Sequence, residues 1–181
     1  MDYFQLSLMS KTQLKKHLLS LTKEQLVEQV LDLYESYKPV KEFYSFYMNP
    51  NENELFEKHK AVIVNEFYPK GKFNEPRTRF VVAKKAITEF STLKPSPKLV
   101  GDLMVTLVEM ASKFTFDYGD MWEQYYTSTV TNFERALKFL QKNGLLNDFN
   151  LRCKQCLTYA QPCGYGFPDE MHDVYSTYYD E

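Results

Sequence analysis

The sequence predicts an all-α protein, organised as a single-domain array of antiparallel helix hairpins with a solenoid-like stacking left open. Three observations carry that reading. Apolar residues recur at three- and four-residue steps along most of the chain, no segment alternates in the manner of a strand, and capping residues and prolines fall at helix-length intervals. The clearest stretch runs from Ser96 to Gly144. Val100, Leu103, Met104, Leu107, Val108, Ala111 and Phe114 form one helical stripe, and Trp122, Tyr126, Val130, Phe133, Leu137 and Leu140 form another. Between them, Gly119 suits a left-handed residue just past a helix end, and Asp120 with Glu123 has the spacing of a capping box. Two antiparallel helices with facing stripes are expected there.

The other elements follow in order. Ser10 with Gln13 and Thr22 with Gln25 have capping-box spacing, so a short helix and a longer one begin at these points. Pro39 ends or kinks the second, and Val40, Phe43, Tyr44 and Tyr47 continue to Asn49-Pro50. Asn51 with Glu54 opens a helix whose stripe runs from Leu55 to Phe67. Lys70 to Glu75 reads as a loop, and Pro76 suits the first turn of the next helix, which continues to the punctuation at Pro95 and Pro97. Beyond Gly144 a helix is expected to about Ala160, then a turn-rich segment and a last short helix from about Asp169. Residues 1–9 are expected to be a disordered N-terminal extension, and residues 10–181 one helical domain.

Composition narrows the function classes. A chain of 181 residues is long enough to bury a core without disulfides or metals. A formal net charge of -2 argues against a surface built throughout for nucleic acid or an anionic membrane. Three cysteines, an odd number clustered late, do not form an extracellular disulfide framework, and a cytoplasmic location is expected. Residues 1–9 lack a basic leader and a cleavage site, and no apolar run approaches the ~20 residues that span a bilayer.

Ala83-Lys84-Lys85-Ala86-Ile87 leading to Phe90, then Asp102-Leu103-Met104, Val108-Glu109, Phe114-Thr115 and Tyr118-Gly119-Asp120, resemble an uncharacterised bacterial domain family of unknown function. Gly164-Tyr165-Gly166-Phe167 followed by Asp169 is similar to that family's glycine-aromatic-glycine-phenylalanine ending. The resemblance covers nearly the whole chain from about Ser10. It implies an all-helical fold of about this length and no assigned activity, substrate or catalytic set.

Several constellations bear on chemistry. Cys153 and Cys156 lie one helical turn apart, and with Cys163 and His172 they have the donor types of a tetrahedral zinc site. Buried thiols in a helix explain the same residues without a metal. Asp117, Asp120 and Glu123 could converge at the hairpin tip as a cation site or an acid/base pair, and capping with compensation of the helix dipole is the favoured reading. Glu109 is placed to pair with Lys113 at i,i+4 on a solvated face. The stretch 68–85 carries Lys70, Lys72, Arg77, Arg79, Lys84 and Lys85 against the single acid Glu75, interleaved with Tyr68, Phe73 and Phe80. Such cations could neutralise phosphates while rings stack on bases; the plainer reading turns the rings into the core. Tyr165 and Phe167 either project toward a neighbour or pin the chain end onto the hairpin, and the second is favoured.

No phosphate loop, dinucleotide fingerprint or nucleophile elbow occurs. No catalytic, cofactor or metal residue is therefore assigned, and no cofactor is expected. The expected function is a non-enzymatic, cytoplasmic helical protein-interaction or scaffold module. Its partner is a protein, with nucleic acid bound through stretch 68–85 as the alternative and no membrane partner. An enzyme whose site is assembled only in the fold is the second alternative.

Overall fold

The structure is a computed structural model and describes residues 9–48, 51–71 and 74–179. Nine α-helices and no strand occur among these residues, so the chain is all-α. Residue contacts divide the chain after Asn49 into two compact units, each described by itself. All but Met9 of the expected extension over residues 1–9, the Asn49-Pro50 boundary, Lys72 and Phe73 lie outside the described residues.

The first unit contains α1 (Lys11–Ser20), α2 (Lys23–Ser36) and α3 (Lys38–Met48). Both predicted capping boxes form. Ser10 accepts from the Gln13 amide while its own amide donates to the Gln13 side chain, and Thr22 and Gln25 repeat the exchange. Pro39 sits in the first turn of α3, where its missing N–H costs no hydrogen bond. α2 packs against α3, and Tyr34 meets Tyr44 edge to face at 6.5 Å. Among described residues 9–48, Phe46 alone is buried.

The second unit contains α4 (Glu52–Phe67), α5 (Phe80–Thr92), α6 (Pro97–Tyr118), α7 (Glu123–Lys142), α8 (Leu146–Ala160) and α9 (Phe167–Ser176). α6 is at its centre and packs against α4, α5, α7 and α8. Residue pairings fix the directions. Phe56 meets Phe90 and Phe67 meets Phe80, so α4 and α5 run antiparallel. Tyr125 reaches the Ala111 carbonyl near one end of α6, and Leu140 crosses Gly101 near the other, so α6 and α7 are antiparallel too. A Cβ on Gly101 would lie 2.7 Å from Leu140 Cδ2, and the absent side chain lets the two helices approach this closely. Tyr175 bonds Asn150 and Tyr179 bonds the Leu146 carbonyl, which makes α8 and α9 a third antiparallel pair.

Three local expectations change. The helix expected from Pro76 begins at Phe80, because the amides of Arg77 and Thr78 donate to the Glu66 carbonyl at 2.9 and 2.8 Å and hold the chain off helical geometry. The Asp120–Glu123 capping box does not form. α7 starts at Glu123 with Trp122 as its uncapped N-cap residue, while Asp120 Oδ1 accepts from Tyr126 Oη at 2.7 Å and from the Gly164 amide at 2.8 Å. Two donors, one from another loop, outbid a local cap. α9 starts at Phe167 rather than near Asp169. Gly119 ends α6 at φ +96°, as its position predicts.

Phe167 is fully buried and stacks on Tyr126 with ring centroids 4.5 Å apart, so the chain end is pinned as expected. Replacing it by Ala should destabilise the protein by about 3–5 kcal/mol, the range for a buried aromatic ring. A urea denaturation midpoint unchanged by Phe167→Ala would show that the stack contributes nothing.

Candidate functional site

The site is assembled around Glu66, near the end of α4. Its side chain is only 8% exposed, and Arg79 closes on it with two charge-assisted hydrogen bonds, Nε to Oε2 at 2.9 Å and Nη2 to Oε1 at 2.8 Å. The Arg79 amide adds a third at 3.2 Å. The guanidinium holds the Glu66 carboxyl below its ordinary range, although burial opposes that shift. This clasp fixes where α5 begins.

The next residue, Phe80, then packs edge to face on Phe67 at 5.7 Å and on Tyr125 at 5.2 Å. Tyr125 is held from below by its hydroxyl, which donates to the Ala111 carbonyl at 3.0 Å, and burial raises its pKa. Trp122 meets Tyr125 edge to face at 5.5 Å. Between the starts of α5 and α7 lies a groove of about 440 Å³, lined by Arg79, Phe80, Val81, Val82, Trp122, Gln124, Tyr125 and Ser128. Its floor is buried and its rim is open: Tyr125 is 1% exposed, whereas Trp122 is 57% and Val81 74% exposed. The lining offers aromatic and aliphatic contact surface with a guanidinium already neutralised by Glu66.

The described cations of the basic stretch have different surroundings. Arg79 is bound to Glu66, Lys85 pairs with Glu89 at 3.7 Å, and Lys70 and Arg77 are exposed. Its two described rings turn inward: Phe80 joins the core, and Tyr68 donates its hydroxyl to Asp117 at 2.8 Å and packs on Phe114. The hairpin-tip carboxylates also diverge, since Asp117 takes Tyr68 and Lys113 while Asp120 takes Tyr126 and Gly164.

Cys153 and Cys156 stay one turn apart on α8, and the four donors of the zinc reading do not converge. Cys153 lies under the Tyr179 hydroxyl and Cys163 beside Thr115, and His172 is within 3.4 Å of the Ser176 hydroxyl. Among the described residues no group of three or more His, Cys, Asp or Glu side chains is placed to hold a metal. Burial pushes the Cys153 thiol up to about 11 and the Cys156 thiol well above its ordinary value.

Two arrangements have no counterpart in the sequence reading. Trp122, expected on the buried stripe of α7, stands at the groove rim because Asp120 is engaged elsewhere and the helix starts after it. Glu109, expected to pair with Lys113, instead binds Arg152 from α8 at 2.6 Å, while Lys113 pairs with Asp117. Arg152 also meets Asp102 at 3.0 Å and the Thr106 hydroxyl at 3.0 Å, and Lys60 from α4 reaches the same Asp102 at 3.4 Å. Burial works against the Arg152 charge, yet Glu109 and Asp102 raise its pKa overall. Partners 43 and 46 residues apart leave no local signal.

Residues 9–177 match the model of a family of unknown function, DUF6155. No curated protein and no solved structure matches the chain. No helix among the described residues is long and apolar enough to cross a membrane.

The Glu66–Arg79 clasp gives a pH signature. The folded pKa of Glu66 lies below its unfolded value of about 4.5, so its contribution is complete above that pH and is lost as pH falls through the folded value. Glu66→Gln should lower stability at neutral pH and flatten the acid decline in the melting temperature measured from about pH 7 to pH 3. Parallel profiles for the two proteins would remove Glu66 from the acid response.

Proposed function

This chain belongs to DUF6155, a family of unknown function, and we propose that it acts as a non-enzymatic protein-interaction module of the bacterial cytoplasm. The observation that carries the reading is the exposed Trp122 ring beside a preformed groove floored by Phe80 and Tyr125. Trp, Tyr and Arg are the residue types that dominate binding energy at protein interfaces, most of all beside desolvated pockets. A buried floor reduces the entropy lost on binding, because the core already fixes Phe80 and Tyr125. The fitting partner presents a large apolar side chain that enters the groove and covers Trp122.

The test compares wild type with Trp122→Ala in affinity capture from the native cytoplasm, with and without nuclease, read by mass spectrometry. A discrete partner that survives nuclease is expected with wild type. Truncating a hot-spot ring costs about 2 kcal/mol or more, so the variant should bind at least ~30-fold more weakly while its melting temperature stays within a few degrees. Equal capture by both proteins would sink the groove as the interface. Capture abolished by nuclease would favour nucleic acid and the cations of stretch 68–85.

A further inference from the structure

The first unit presents a surface that its own helices do not cover. α1 and α2 bury no residue, and α1 makes no extensive contact with another helix. Most of the exposed large apolar side chains among the described residues fall within 9–48, including Leu14, Leu19, Val27 and Leu31. Leu14 lies one turn from the half-buried Leu18 on α1 and Val27 one turn from Leu31 on α2, and apolar rows left open in this way are unusual on a chain that stays alone.

The charges beside those rows indicate what covers them. On α2, Glu24, Glu28 and Asp32 recur at four-residue steps and form one acidic ridge, with Val27 and Leu31 on the neighbouring ridge. On α1, Lys11 and Lys15 are one turn apart, Lys16 follows, and no acid occurs in the helix. Among the described residues none of these six charges takes an ion pair, whereas cations elsewhere in the chain reach carboxylates. The acidic ridge and the basic helix are thus complementary in both charge and apolar pattern, and they sit on one chain.

We propose that the chain forms a two-fold homodimer in which α1 of each copy packs on the acidic, Val27/Leu31 face of α2 of the other. A second copy supplies both halves of the match twice over, which is the self-complementarity that two-fold symmetry requires. Leu14 and Leu18 meet Val27 and Leu31, and the lysines line the acidic ridge. This surface is distinct from the Trp122 groove, and the inference stands independently of it.

Charge reversal on the full-length chain tests it. By sedimentation velocity at tens of micromolar, wild type should be a dimer. K11E/K15E/K16E and E24K/E28K/D32K should each be monomeric and folded by circular dichroism, with dissociation constants raised at least about a hundredfold. Mixed in equal amounts, the two variants should form a heterodimer, since each α1 then meets an α2 of opposite charge. The chain carrying all six reversals should dimerise again, which keeps the test decisive if one triple variant folds poorly.

A monomeric wild type would overturn the proposal, as would triple variants that stay dimeric or a mixture that stays monomeric. Trp122→Ala should leave the dimer intact. A monomer that still captures its partner through Trp122 would overturn the dimer and leave the groove standing.

Discussion

A helix that is apolar around most of its circumference has to be enclosed, and α6 imposes that constraint on residues 50–181. Its buried side chains run from Val100 to Thr115 and face α4, α5, α7 and α8. At Gly101 the packing is close enough that Leu140 of α7 occupies the space a side chain would need. The large rings of the chain fill the remaining volume around it: Phe67, Phe90, Phe114, Tyr125, Phe133 and Phe167 all lie in one continuous core. The groove is a by-product of that enclosure, lying where α5 and α7 begin on either side of the Phe80–Tyr125 contact.

The polar edge of α6 then has to be neutralised. Asp102, Thr106 and Glu109 lie at three- and four-residue steps, and with helices on both sides they are only partly solvated. Arg152 answers them with a planar fork that touches both carboxylates and the hydroxyl, a geometry an ammonium could not reproduce. With Lys60 on the same Asp102, the cluster ties α4, α6 and α8 together. Isolated partly buried ion pairs gain little net stability after desolvation, but a satisfied set fixes which residues face each other.

The sequence reading was strongest where structure is local. Both N-terminal capping boxes, the Asn51 cap, the Gly119 terminus and the all-α class rest on residues within a few positions of one another. It failed where a distant group outbid a local one. Asp120 had the spacing of a cap but bonds Tyr126 and Gly164, and Glu109 had Lys113 within reach but bonds Arg152. Both failures concern carboxylates, because an acid takes the best donors available in the fold and spacing identifies only the nearest. The groove followed from the first of these: once Asp120 was engaged, α7 started later and the chain's single tryptophan came to the rim instead of the core. The inward turn of Tyr68 and Phe80 was within the range of the pattern, since aromatic rings beside cations more often serve a core than a ligand.

The antiparallel pairing of neighbours also orders events in time. α6 with α7 and α8 with α9 each close over a short loop, and such closures lose little chain entropy and form quickly. The contacts of α6 with α4 and α8 skip a helix and close larger loops. The α6–α7 hairpin can therefore close before α8 docks, with Asp102 and Glu109 already in place for the arginine that helix carries. Docking of α8 then brings Arg152 onto both carboxylates at once and ties together hairpins that closed separately.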